Sequence, residues 1–100
     1  MAASFEWDEN KAAVNQRKHG ISFIEAATVF ANPLAAIFDD PDHSFEELRE
    51  IIVGHSDRAR VLVVSFVERE GVVWIITARG ATPRERRNYE ENPRAGWRHE

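Results

Sequence analysis

One hundred residues, 43% apolar and 30% charged, suit one domain with one core, and the absence of cysteine excludes a disulfide framework, thiol catalysis and a cysteine-based zinc site. The net charge of −4 argues against non-specific nucleic-acid binding, but the charge is unevenly spread: 4 basic against 11 acidic residues through Asp57, then 9 against 6 from Arg58 onward. Most basic residues are arginine, which favours bidentate recognition of phosphate or carboxylate, so the chain reads as acidic overall with a local cationic site. No basic, apolar leader follows Met1, and the longest apolar run, over 61–67, is too short to span a bilayer; the cytoplasm is the expected location.

In chain order, Phe5-Glu6-Trp7 predicts a short strand. Asp8 is an N-cap for a helix over 8–19, with Trp7 placed to staple onto Ala12 and Gly20 as its stop. Lys18 and His19 fall in the last turn, where the helix dipole alone accounts for them. Ser22 and Glu25 form a capping box that opens a second helix over 22–31, with Phe23, Ala26, Ala27 and Phe30 as a core-facing stripe. A strand over 34–38 leads into an acidic turn, 39–44, which lacks the spacing of a calcium loop. Strands over 48–54, 60–68 and 72–79 follow, the last two joined by a tight turn, Arg69-Glu70-Gly71, and therefore antiparallel. Thr82, Pro83 and Glu85 make the clearest helix start, a capping box with proline at the first helical position, for a helix over 82–91. The expected fold is α+β: a small, antiparallel-rich sheet packed with two N-terminal helices and one C-terminal helix. It forms one domain over 1–100, with its core at about 5–91 and a frayed tail, 92–100, anchored by Trp97.

No phosphate loop, dinucleotide fingerprint, nucleophile elbow or zinc-protease motif is present. His19, His43, His55 and His99 lack ligand-like spacing, so neither metal nor cofactor is expected. What remains is a set of polar residues at element ends: Lys18 and His19 after the first helix, Arg49 within an apolar strand, Arg79 at a strand end, and Arg84, Arg86 and Tyr89 on the last helix. The plainer explanations are an edge-strand charge for Arg49 and solvated i,i+4 pairs, Arg86–Glu90 and Arg87–Glu91, on the helix. If these ends converge, they supply what cofactor-free cleavage of RNA requires: a base for the 2′-hydroxyl, cations for the phosphate and an acid for the leaving oxygen.

Phe5-Glu6-Trp7-Asp8, Asn15, Arg17-Lys18-His19-Gly20 and Ser22-Phe23 with Glu25-Ala26 together resemble the N-terminal signature of the BrnT toxins. Ala78-Arg79, Ala81-Thr82, Glu85-Arg86 and Tyr89-Glu90 resemble their C-terminal signature, and the order and spacing match over about residues 5–91. The resemblance implies a type II toxin with a RelE-like fold and ribonuclease activity that blocks translation. It also implies a BrnA-like antitoxin with a DNA-binding region, which would neutralise the toxin in a hetero-oligomer and repress the shared operon. On this basis Arg79, Lys18, His19, Tyr89 and Glu85 are the candidate catalytic residues, and Arg49, Arg86 and Arg84 the candidate RNA contacts. One departure stands out: Gly80 occupies a position where family members often carry a second basic residue. Two other classes fit the same residues: a toxin of this fold that binds a protein target, as ParE-like relatives bind gyrase, and an inactive module that only pairs with its partner.

Overall fold

Residues 61–67 are apolar without alternation apart from Ser65, and a strand of that kind must be covered on both faces. That requirement organises the architecture. The computed structural model describes residues 4–40 and 48–91. In chain order it comprises β1 (Ser4–Glu6), α1 (Glu9–His19), α2 (Phe23–Thr28) continued by a 3₁₀ turn (Val29–Ala31), β2 (Ala36–Asp39), β3 (Arg49–His55), β4 (Val61–Arg69), β5 (Val72–Gly80) and α3 (Pro83–Glu91). The strands form one sheet in the order β1-β5-β4-β3-β2. β1 runs parallel to β5, and every other pairing is antiparallel. The α+β expectation therefore holds. Residues 41–44 of the acidic turn and the tail from Asn92 lie outside the described residues.

The helices divide between the two faces. On the first, α2 and its 3₁₀ extension bury Phe23, Ala26 and Val29 against Ile52, Leu62, Val64, Phe66 and Ile75. Phe30 stacks edge-on against both Phe5 and Phe66, with ring centroids 5.2 and 4.9 Å apart, and so ties β1 to the centre of the sheet. On the second face α3 lays Tyr89 over Ile51, Val53, Val61 and Val63. Arg49 is not an edge charge: β2 pairs outside β3, and the Asp40 N–H donates to the Arg49 carbonyl.

Local chemistry sets the boundaries. Asp8 accepts from the Lys11 N–H at 3.1 Å, and Gly20 (φ 72°) closes α1 by donating to the Gln16 carbonyl. Glu70 and Gly71 both take positive φ, 52° and 81°, which matches the twist of a two-residue hairpin between β4 and β5. Ser22 caps α2 through the Glu25 N–H, but only half of the expected capping box closes, because the Glu25 carboxylate is used elsewhere. It accepts from Ser56 Oγ at 2.7 Å and from Arg60 Nε at 2.9 Å, with a second, short contact to Arg60 Nη2. This buried carboxylate bolts the β3–β4 turn to α2. The Arg60 bonds, aided by Ser56, outweigh burial and hold its pKa below the usual carboxylate value.

Candidate active site

α1 has almost no apolar stripe, and its one buried residue is Asn15. The Asn15 amide donates to the Ala78 carbonyl (2.8 Å) and to the Ile21 carbonyl (3.0 Å), and its oxygen accepts from the Ala78 N–H (3.0 Å). A side-chain amide thus pairs with β5 as a neighbouring strand would, where β1 no longer reaches. β1 covers β5 only over Val72–Trp74, so the outer edge stays open until Ala78. Within that gap the β4–β5 register slips: Ser65 faces Thr77 and Phe66 faces Ile75, leaving Ile76 as a bulge.

The result is a groove of about 340 Å³ between α1 and the edge of β5. α1 contributes Lys11, Val14, Lys18 and His19, and β5 contributes Ile76 and Thr77; Asn10 and Asn15 complete the lining. Lys18 and His19, candidates from sequence, stand together here, exposed and without an ion-pair partner among the described residues. Among the described residues the lining carries no carboxylate.

Arg79 lies two residues beyond Thr77, on the face opposite α2, where it faces Val63 of β4. Its guanidinium is held by Glu85 as a fork: Nη1 to Oε1 at 2.7 Å and Nη2 to Oε2 at 2.9 Å. Glu85 also completes the α3 capping box, accepting from the Thr82 N–H at 2.9 Å while Thr82 Oγ1 accepts from the Glu85 N–H. Burial raises the Glu85 carboxyl, but the bonds from Arg79 and Thr82 outweigh it and leave the pKa lowered; Glu85 in turn raises that of Arg79. The sequence shows both residues but not their pairing.

The other candidates are dispersed. Tyr89 is buried, its hydroxyl donating to the Leu34 carbonyl at 3.2 Å and its ring 5.7 Å from that of His55. Its contacts are those of an anchor for α3. Arg49 faces Val67 on β4, so its Cα lies roughly 16 Å from that of Arg79, from four residues of rise and two strand spacings. Arg84, Arg86 and Arg87 are exposed on α3, and neither Arg86–Glu90 nor Arg87–Glu91 closes as an ion pair among the described residues. Gly80 is exposed, and a Cβ there would meet nothing within 4 Å. At the other end of the sheet Asp39, Glu50 and Glu68 crowd together. Burial first, then the repulsion of its two neighbours, raises the Glu50 pKa. Sequence reasoning missed Asn15 as the organiser of the groove, and Thr77 and Ile76 as its wall. A polar residue centred in a helix with no apolar stripe was the available signal. Among the described residues no three histidine, aspartate or glutamate side chains are grouped to hold a metal ion. No helix among them is long and apolar enough to cross a membrane.

Residues 7–85 match the sequence profile of the family described as the ribonuclease toxin, BrnT, of type II toxin–antitoxin systems. No curated protein matches the sequence. The fold is similar to that in the crystal structure of the Brucella abortus ribonuclease toxin BrnT, with a TM-score of 0.64 and 21% identity over 81% of this chain and 99% of that one. The profile spans most of the chain, including α1, the open edge of β5 and the Arg79–Glu85 pair, and the chain belongs to the BrnT family of type II ribonuclease toxins.

Proposed function

We propose that this chain is a cofactor-free endoribonuclease, acting as one domain in the cytoplasm, that cleaves RNA and blocks translation until a BrnA-like antitoxin neutralises it. The observation that carries this reading is the pair Lys18 and His19, without an ion-pair partner among the described residues, in a groove whose β5 wall, Ile76 and Thr77, is followed along the strand by Arg79. Arg79 holds the scissile phosphate and stabilises its added charge, exchanging its fork from Glu85 to the phosphate oxygens. One of Lys18 and His19 takes the 2′-hydroxyl proton as that oxygen attacks phosphorus. The bond from phosphorus to the 5′-oxygen breaks, and the other residue protonates the leaving oxygen. The products are a 2′,3′-cyclic phosphate and a 5′-hydroxyl. Arg84, Arg86 and Arg49 steer the flanking backbone. Tyr89 acts through packing, since its hydroxyl is already committed to Leu34.

An antitoxin segment that covers the groove and Arg79 with acidic or helical chain would neutralise the toxin. The deciding experiment is inducible expression in a bacterium with and without the partner, followed by RNA integrity, together with cleavage of RNA by the purified chain. Growth arrest with RNA cleavage, both relieved by the partner, is the expected result. Growth arrest with intact RNA would replace this reading with a protein-targeting toxin, and unimpaired growth at confirmed soluble expression with an inactive binding module.

A further inference from the structure

The phosphate chemistry uses only the cationic end of the groove and leaves its apolar body unexplained. Val14 sits in that body, 52% exposed in the middle of a helix whose other apolar residues are the alanines Ala12 and Ala13. Ile76 faces it from β5 through the bulge, a device that re-aims a side chain at the expense of strand pairing. Asn10 and Thr77 add polar side chains to the lining. Asn15 is committed to Ala78 and Ile21 and serves only as wall.

We propose that this groove seats the base of one unpaired nucleotide beside the scissile phosphate, and so restricts the substrate to single-stranded RNA. The inference rests on the ribonuclease reading above and deepens it. The groove lies near the lower limit of small-molecule sites, roughly 300 to 1,000 Å³, which suits one heterocycle and its sugar. Val14 and Ile76 offer apolar surface to the ring faces, while Asn10 and Thr77 offer donors and acceptors to its edge. Lys11, Lys18 and His19 lend the lining a cationic side that complements the attached phosphates. Thr77 stands about 7 Å along the strand from Arg79, so a base held there brings its own phosphodiester to the arginine. A base in a duplex is paired and stacked and cannot enter a groove at a sheet edge without being extruded.

The test compares wild type with Val14→Trp, which fills the groove from an exposed helix position, and with Val14→Ser, which strips its apolar wall. Circular dichroism serves as the folding control. Three readouts are taken: kcat and KM on one RNA oligonucleotide, single-stranded and annealed; resonance shifts at Val14 and Ile76 on titration with uridine or adenosine 3′-monophosphate; and affinity for the antitoxin. Expected are at least hundredfold faster cleavage of the single strand, a KM raised about tenfold or more in both variants with a smaller change in kcat, and nucleotide-induced shifts at the groove that Val14→Trp abolishes. Cleavage by both variants at the wild-type KM overturns the base site and leaves the ribonuclease reading intact. Loss of antitoxin affinity without a change in KM overturns it in favour of a protein-docking groove. Nucleotide-induced shifts at the groove in a wild-type chain that cleaves no RNA sustain the nucleotide site and overturn the ribonuclease reading.

Discussion

Replacing Arg79 with alanine removes two interactions of different kinds, and the structure separates their sizes. The first is the fork to Glu85. Hydrogen bonds to charged groups contribute about 1.5 to 3 kcal/mol when protected, but these side chains are 36% and 18% exposed, and solvent screening brings the pair to about 1 kcal/mol. Glu85 keeps its bond from the Thr82 N–H, so α3 retains its cap. In a domain of this size that loss lowers Tm by roughly 4–8 °C, leaving a folded protein. The second is the charge offered to the phosphate in the transition state, and loss of one such donor costs about 10²–10³ in rate, or about 2.7–4 kcal/mol. Arg79→Lys replaces the fork with a point charge; it should regain part of the stability and little of the activity. The assay is single-turnover cleavage of one RNA by wild type and both variants, with thermal unfolding measured in parallel. If Arg79→Ala unfolds at the expected temperature yet cleaves within about threefold of wild type, about 0.65 kcal/mol of barrier, Arg79 is not the catalytic arginine. The assignment would then move to Arg86 or Arg49.

Tyr89→Phe should retain cleavage within about threefold and lower Tm by a few degrees, since it removes the bond to the Leu34 carbonyl, about 1 kcal/mol, and a long one from the Asn32 amide, and keeps the packing. A hundredfold loss in a folded variant would make its hydroxyl a proton donor. Glu25→Gln should lower stability at neutral pH, because the buried amide loses the charge-assisted bonds from Arg60 and Ser56. The Glu25 carboxyl titrates lower in the folded than in the unfolded chain, so its contribution is present above the unfolded value of about 4.3 and is lost as pH falls through the folded one. Denaturant titrations from pH 7 to pH 3 should therefore show wild type losing stability with acid more steeply than Glu25→Gln; parallel curves would disprove the linkage. Excess EDTA should leave RNA cleavage undiminished, and a loss rescued by added Mg²⁺ or Zn²⁺ would refute the cofactor-free mechanism.

The elements were legible because their signals are local. Asp8 and Gly20 bound α1, the Thr82–Glu85 box opens α3, and Glu70-Gly71 turns the hairpin, each through bonds made within a few residues. The antiparallel pairing of β4 and β5 was likewise visible in two apolar runs joined by a short turn, and the signatures flanking Lys18, His19 and Arg79 sufficed to suggest the family. Tertiary structure alone decided what those residues do to one another. Asn15 reaches across 63 positions to Ala78, and that pairing docks α1 beside the edge of β5 that β1 leaves open, forming the groove in which Lys18 and His19 stand. Glu25 fits a capping box from sequence, yet its carboxylate is drawn to Ser56 and Arg60, because a buried charge takes its strongest partners wherever the fold brings them. Tyr89, a proton-transfer candidate by position, is buried against β3 and β4 because its ring covers the apolar second face of the sheet. Helix caps and strand patterns are settled over one or two turns of chain. The partners of a polar side chain depend on which distant segments the core packs beside it, and that information is not local to any stretch of this sequence.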